Sequence, residues 1–151
     1  MEPPSHYHPL NVVLTHLALA AIFVAVALRV DVPPEFFRPF SVQAVAAGFI
    51  MGLLWVLAEA LQDRAGGDEY LRRQVAGRAR YWSGRYSWVR ALCFLLVFGG
   101  IGSGLGYSWV LAGVCLGIAA PYPYWRGHWQ RLQRVAQEET QAASVAIGGP
   151  A

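Results

Sequence analysis

The sequence predicts an all-α, polytopic integral membrane protein of four transmembrane helices, built as two helical hairpins. Three observations point to this fold class. The 151-residue chain is 56% hydrophobic and only 14% charged, far from the composition of soluble domains. Uncharged runs long enough to cross a bilayer recur along it. Its 12 basic residues are all arginines and are gathered into a few short segments. We therefore treat residues 1–151 as a single membrane domain.

The first two predicted spans cover residues 10–29 and 41–61. The run after Pro9 is uncharged, and about 19 residues of helix at 1.5 Å each reach about 28 Å, the thickness of the hydrocarbon layer. Paired prolines, charges and phenylalanines in the connecting segment are typical of an interfacial loop. Ser41 is the predicted N-cap of the second helix. These two spans would form the first hairpin.

The third and fourth spans are predicted within residues 91–120, which carry no charge. Thirty residues of helix would reach about 45 Å, too far for one crossing. Glycines cluster between residues 99 and 106 and favour a tight turn there. We therefore expect spans at about 88–103 and 107–122, with one span plus a re-entrant segment as the alternative.

A basic loop is predicted at residues 63–88, between the second and third spans. Residues 63–90 contain seven of the 12 arginines. Apolar side chains recur within the loop at helical spacing, which predicts a short amphipathic helix in the headgroup region; they are Leu71, Val75, Ala79 and Trp82.

Arginine placement predicts the topology, because basic residues accumulate in short cytoplasmic flanks. An even number of spans puts both the basic loop and the tail, residues 126–151, inside. Both termini are then cytoplasmic, and the location is a bacterial inner membrane. The small residues at 141–151 are typical of a disordered end. Four tryptophans are predicted interfacial anchors: Trp82, Trp88, Trp125 and Trp129.

Three ionisable residues fall within or at the ends of the predicted spans, where charge is costly and often functional. His16, Glu59 and Arg90 have overlapping predicted depth. We predict an ion pair between Glu59 and Arg90 with His16 nearby, a candidate ligand or proton site. The alternative is that Glu59 and Arg90 reach the headgroups and that His16 is a structural hydrogen-bonding residue.

Two stripes of small residues are spaced four apart, a pattern that lets helices approach closely. One stripe is Ala44, Gly48 and Gly52, and the other is Gly113 and Gly117. Packing within this bundle and docking onto another subunit both remain open.

Several chemistries are disfavoured by composition and placement. Lysine is absent, so Schiff-base catalysis is excluded. No aspartate and only one histidine lie in the predicted spans, which argues against a paired-aspartate protease and bis-histidine haem. His6 and His8 form only a weak metal-binding pattern. The arginines of the loop are explained by topology and anionic lipid. We predict no enzymatic activity, metal, cofactor or nucleic-acid partner.

The function predicted from these features is a non-catalytic accessory or assembly subunit of a larger membrane complex. Its expected partners are membrane lipids and other membrane subunits or further copies of itself. One alternative is a homo-oligomeric transporter or channel whose path is lined by His16, Asn11, Thr15 and Gln43. Another is a lipid- or quinone-site protein with a pocket around His16 and Glu59.

Overall fold

A computed structural model of the chain describes residues 3–28, 40–76 and 85–147, and the regular elements in these ranges are all helical. The all-α class is therefore confirmed. After a 3₁₀ turn at Ser5–Tyr7, the elements in chain order are α1 (Pro9–Ala27), α2 (Val42–Val75), α3 (Ser87–Leu96), a π-helical turn (Val97–Ile101), α4 (Gly102–Leu105), α5 (Tyr107–Ala119) and α6 (Tyr122–Ile147).

Two of these helices, α1 and α2, are long and apolar enough to cross a membrane. Most of α1 is not covered by the rest of the protein, and it exposes Leu14, Leu17 and Ile22 among others. The helices Ser87–Ile101 and Tyr107–Ala119 are also apolar but shorter.

The helix boundaries follow local chemistry. Pro9 is the first residue of α1, where its missing N–H is not needed. The Ser41 hydroxyl accepts a hydrogen bond from the Ala44 amide at 3.3 Å, as predicted for an N-cap. However, α2 does not end near residue 61. It continues to Val75, with a break at Gly67, so the first part of the predicted basic loop is helical.

The reversal between α4 and α5 occurs at a single glycine. Gly106 has φ 96° and ψ 113°, a conformation that glycine adopts easily and other residues rarely do. The glycines at 99 and 100 do not form the turn, since they lie in the π-helical segment. Helix therefore extends without interruption from Ser87 to Leu105.

The helices do not pack as two sequential hairpins, which corrects the predicted arrangement. The most extensive interfaces of the described residues join α5 to α2 and α5 to α1, so α5 lies between these two helices. Helix α3 packs mainly on α2, and the segment after it meets α5 only near the turn. The reason is close approach of α2 and α5, which their glycines permit.

The last helix covers one end of the bundle. Leu132, Val135 and Ala136 of α6 pack against Leu71 and Val75 of α2. We call this the polar end, where the last turns of α2, the first turns of α3 and α6 meet. The predicted amphipathic helix thus buries its apolar side chains on α6 and does not turn them toward headgroups; Ala79 and Trp82 lie outside the described residues.

The C-terminal segment was predicted to be disordered from residue 141. Instead, α6 continues to Ile147. Its side chains at 141–145 are exposed, so this part is held by helical continuity with the packed turns before it. Composition alone missed this because alanine-rich, polar sequence favours helix when a helix is already nucleated.

Candidate functional site

The predicted pair between Glu59 and Arg90 is present and buried. Arg90 Nη2 lies 2.5 Å from Glu59 Oε2, and the two side chains are only 3% and 6% exposed. The other carboxylate oxygen, Oε1, accepts hydrogen bonds from Gln74 Nε2 at 3.2 Å and from the Tyr70 hydroxyl at 3.3 Å. The pair is therefore enclosed by protein and does not extend to the surface.

Gly67 makes this enclosure possible. In a straight helix, Glu59 and Gln74 would lie about 22 Å apart along the axis, yet their side chains are hydrogen-bonded. The break at Gly67, with φ 53° and ψ −150°, folds the last turns of α2 back toward Glu59. Such backbone angles are open to glycine and strained for other residues.

A second buried carboxylate, Asp63, lies one helical turn after Glu59 on the same face of α2. Its Oδ2 accepts from His128 Nδ1 at 2.7 Å, from Arg131 Nη2 at 3.0 Å and from the Tyr124 hydroxyl at 3.1 Å. The Asp63 and His128 side chains are fully buried. All three donors come from one face of α6, so this helix is fixed to the bundle by Asp63.

Asp63 and its partners were not among the predicted site residues, because they lie beyond the predicted spans. Two signals were available. Glu59 and Asp63 are four apart, and Tyr124, His128 and Arg131 are spaced by four and three, the spacing of one helix face. Neither spacing indicates which helix faces come into contact, because that depends on how α6 packs against the bundle.

Two tyrosines in the polar end are held as neutral donors. Burial raises the pKa of Tyr70 to about 12, and the nearby Glu59 carboxylate adds to the effect. Burial also raises the pKa of Tyr124, with a further contribution from Asp63. Both hydroxyls therefore keep their protons at neutral pH and donate hydrogen bonds to the two carboxylates.

His16 does not join this network, which corrects the expectation that it lies near the ion pair. Its Nδ1 is 2.7 Å from the Val12 carbonyl oxygen of the same helix. The side chain instead lines a groove of about 230 Å³. The groove residues are His6, Tyr7, Asn11, Val12, Thr15, His16, Trp55, Ile118 and Trp125.

The groove and the ion network share a wall. The Tyr7 ring, which lines the groove, packs edge-on against His128 with centroids 5.2 Å apart. Trp125 also lines the groove, and its ring centroid is 6.4 Å from that of His128. The groove is therefore connected to the buried Asp63–His128 pair through these two aromatic rings.

The two small-residue stripes are brought together. A Cβ at Gly48 would collide with the Val110 carbonyl oxygen, and one at Gly113 would collide with that of Val45. Gly52 and Gly117 meet at the next level, and Ala44 is fully buried. Both stripes are thus used between α2 and α5, so neither offers a free surface for another subunit.

The predicted anchors divide into different environments. Trp88 is 62% exposed and stays a predicted anchor. Trp125 is only 7% exposed, and its Nε1 donates to the Ile118 carbonyl at 2.8 Å, so it is a core residue and the anchor prediction was wrong. Trp129 packs against the ring of His8, and Trp82 lies outside the described residues.

The remaining candidate site residues, His6, His8 and Gln43, lie in different places. His6 lines the groove, whereas His8 lines a different cavity with Trp129. Within the described ranges, no three His, Cys, Asp or Glu side chains are grouped to hold a metal ion. Gln43 is exposed in the first turn of α2 and does not line the groove.

Comparison with protein-family models, curated proteins and solved structures finds no significant match to this chain. Over the residues that the structure describes, the fold defines an all-helical protein with two helices long and apolar enough to cross a membrane.

Proposed function

We propose that this chain is a four-span integral membrane protein that binds the polar head of an amphiphilic molecule, of the quinone or glycerolipid class, in the groove beside α1. The observation that carries the proposal is the groove itself. Asn11, Thr15 and His16 form a polar stripe on α1, facing the aromatic side chains of Trp55 and Trp125. Apolar walls with a few polar groups are typical of small-molecule sites.

The size of the groove favours a head group over a whole ligand. Sites that enclose a complete drug-sized molecule have volumes of about 300–1,000 Å³, and this groove has about 230 Å³. A single ring or glycerol-sized head fits that volume. The apolar tail would continue along the exposed side of α1, where Leu10, Leu14 and Leu17 are uncovered.

Helix lengths and exposure support the four spans. The continuous helix from Ser87 to Leu105 reaches about 28 Å, and it exposes Leu92, Phe94 and Leu95. Helix α5 reaches only about 20 Å, but it lies between α1 and α2, so it need not match the hydrocarbon thickness itself. The arginine-rich polar end would face the cytoplasm, and α1 would then begin at that side.

An accessory or assembly role remains a prediction. The small-residue stripes no longer support it, because α2 and α5 pack through them. A transporter path through His16, Asn11, Thr15 and Gln43 is also less supported, since Gln43 does not line the groove with the other three. Neither role has a described contact that favours it over head-group binding.

Tryptophan fluorescence tests the proposed binding. The purified protein in lipid nanodiscs would be titrated with a short-chain naphthoquinol and with a monoacylglycerol. We expect saturable quenching by the head-group class that binds, reduced in Trp55→Phe and unchanged in Trp88→Phe. Trp88 is the matched control because it is exposed and does not line the groove. Quenching that rises linearly with both probes in both variants is membrane partitioning and refutes the site.

Topology reporters test the four spans separately. Reporters fused at residue 1, inserted at Gly67 and fused at residue 151 should all report cytoplasm, and one at Leu105 should report the opposite side. The physical reason is that arginine-rich flanks stay inside. A reporter at residue 151 on the outer side would refute an even number of spans and support the re-entrant alternative.

A further inference from the structure

We infer that the groove continues past Trp55 into an apolar cavity that holds a second alkyl chain, so the ligand is a two-chain glycerolipid and not a single-tailed quinone. This rests on the proposed function and names its ligand more narrowly. The cavity lies between α2, α5 and the helix that begins at Ser87, and its volume is about 70 Å³. The described residues that line it are all hydrophobic: Met51, Trp55, Cys93, Phe94, Val97, Phe98, Leu111 and Val114.

The groove and the cavity lie on the same side of the packed pair α2 and α5. Trp55 lines both of them, so they meet at this side chain. On α2, Met51 of the cavity lies one turn before Trp55. On α5, Leu111 and Val114 of the cavity share a helix face with Ile118 of the groove, at spacings of three and four residues. The cavity is therefore the continuation of the groove along these two helices.

Polarity falls along this path in the direction that an amphiphile requires. The N-terminal end of α1 lies at the polar end of the protein, where Tyr7 packs against the core formed by α2 and α6. The polar groove residues Asn11 and Thr15 belong to the first turns of α1. Met51 lies two turns of α2 before Glu59, about 12 Å farther from the polar end. A lipid head in the groove would therefore direct a chain toward the cavity.

The size of the cavity favours an alkyl chain over a ring. A dry apolar cavity of about 150 Å³ holds a benzene ring, and this cavity has only about 70 Å³. A few methylene groups of an extended chain fit that volume, and a ring system does not. The side chains around an unfilled apolar cavity lose dispersion contacts. A chain that enters the cavity restores those contacts.

The groove then has two apolar exits. One follows the exposed side of α1, where Leu10, Leu14 and Leu17 are uncovered. The other passes Trp55 into the cavity on the side of α3. A glycerol head that carries two acyl chains matches both exits. A quinone head carries one tail and leaves one exit unused.

The outer wall of the cavity includes the π-helical turn. Val97 and Phe98 of this turn line the cavity. The Tyr107 hydroxyl donates to the Phe98 carbonyl oxygen at 2.9 Å, which joins the turn to the start of α5. The rings of Phe94 and Phe98 have centroids 4.6 Å apart. Because π-helical turns occur frequently at functional sites, this irregular segment supports a binding role for the cavity.

The experiment compares two probes with the same head and one free hydroxyl group. One is a dioctanoylglycerol, and the other carries an acetyl group in place of the second octanoyl chain. Each is titrated into the purified protein in lipid nanodiscs, with tryptophan fluorescence as the signal. The quantity compared between variants is the ratio of the two affinities, so the stronger partitioning of the two-chain probe into the bilayer cancels.

Leu111→Phe enlarges a side chain that lines the cavity. At the energetic cost of an apolar cavity of this volume, the two-chain advantage should fall roughly tenfold. Affinity for the acetyl probe should stay the same, which shows that the groove is intact. Leu116→Phe is the matched control, because Leu116 is also half-buried on α5 and lines neither the groove nor the cavity.

Cys93→Leu enlarges the opposite wall, on α3, and decides the matter by the same ratio if Leu111→Phe loses affinity for both probes. An unchanged ratio in Leu111→Phe and Cys93→Leu would overturn this inference and leave the proposed function standing. Saturable binding of the naphthoquinol with none of the glycerolipid probes would do the same. Absence of saturable binding by every probe would overturn the proposed function itself.

Discussion

Helix α2 meets its neighbours in two different ways along its length. In its first turns it meets α5 through glycines, and backbone atoms of the two helices come into direct contact. Near its end it meets α3 and α6 through Glu59 and Asp63, whose partners are charged or polar side chains. The first region is stabilised by close backbone packing at glycines. The second is stabilised by buried carboxylates that are paired with charged or polar side chains.

This difference determines how the stability of each region should respond to amino-acid substitution. A glycine contact is a matter of shape, so an added methyl group is harmful and charge is irrelevant. A buried ion pair tolerates little loss of either partner, because the remaining charge is left without compensation. Stability in the apolar half should therefore be sensitive to side-chain size at the glycines. Stability at the polar end should be sensitive to the loss of either partner of a buried ion pair.

The largest effect is expected at the buried ion pair. Glu59→Ala and Arg90→Ala should each lower the free energy of unfolding by about 3–5 kcal/mol, since each leaves its partner buried and unpaired. The double variant should be much less destabilised than the sum of the two. Denaturant unfolding in mild detergent would measure the cycle.

The matched control for that cycle is the exposed pair Arg73–Glu69, with Arg73 Nε and Glu69 Oε1 3.1 Å apart. Both side chains are mostly exposed, so its loss should cost at most about 0.5 kcal/mol. Additive losses at Glu59 and Arg90, with the same small size as in the control, would show that the polar end is not held by pairing.

The next largest effect is expected at the glycine interface. Gly48→Ala should destabilise by about 2–3 kcal/mol, because its Cβ would meet backbone atoms of Val110, which cannot rotate away. Gly99→Ala is the control, since a Cβ there meets nothing within 4 Å. Thermal unfolding monitored by circular dichroism would compare the two. Equal stability of the two variants would mean that α2 and α5 do not approach this closely.

A smaller effect is expected at the break in α2. Gly67→Ala should destabilise by about 1–2 kcal/mol, because alanine does not readily adopt φ 53°. Gly127→Ala, in the helical region of α6 with open space around it, should instead stabilise by up to about 1 kcal/mol. The same unfolding assay reports both. A neutral Gly67→Ala would indicate that α2 continues straight and that Gln74 does not reach Glu59.

The smallest effect concerns pH. The pKa of Tyr70 is raised to about 12 from 10.0, so the folded protein holds this proton more tightly than the unfolded chain. The associated stability is complete below pH 10 and is lost as pH rises toward 12. Tyr70→Phe should therefore lose less stability than the parent protein over that interval, measured by unfolding at each pH. Identical pH profiles would place Tyr70 outside the buried network.

Much of the fold and part of the site could be predicted from residues close together in the chain. The uncharged run after Pro9, the N-cap at Ser41 and the glycine near the reversal depend on hydropathy and backbone preference, which act locally. Helix rise also placed Glu59 and Arg90 at the same depth. The four-apart spacing of Gly48 and Gly52, and of Gly113 and Gly117, predicted close packing for the same reason.

Tertiary structure decided which faces meet. Asp63 and His128 are 65 residues apart in the chain, and their contact requires the return of α6 across the polar end. Helix α5 lies between α1 and α2 because its glycines fit those of α2, a complementarity between surfaces. His16 faces the groove and not Glu59, since the rotation of α1 follows from its packing on α5. Local sequence fixes the period and depth of a helix, whereas its rotation and neighbours come from the packing energy of the whole bundle.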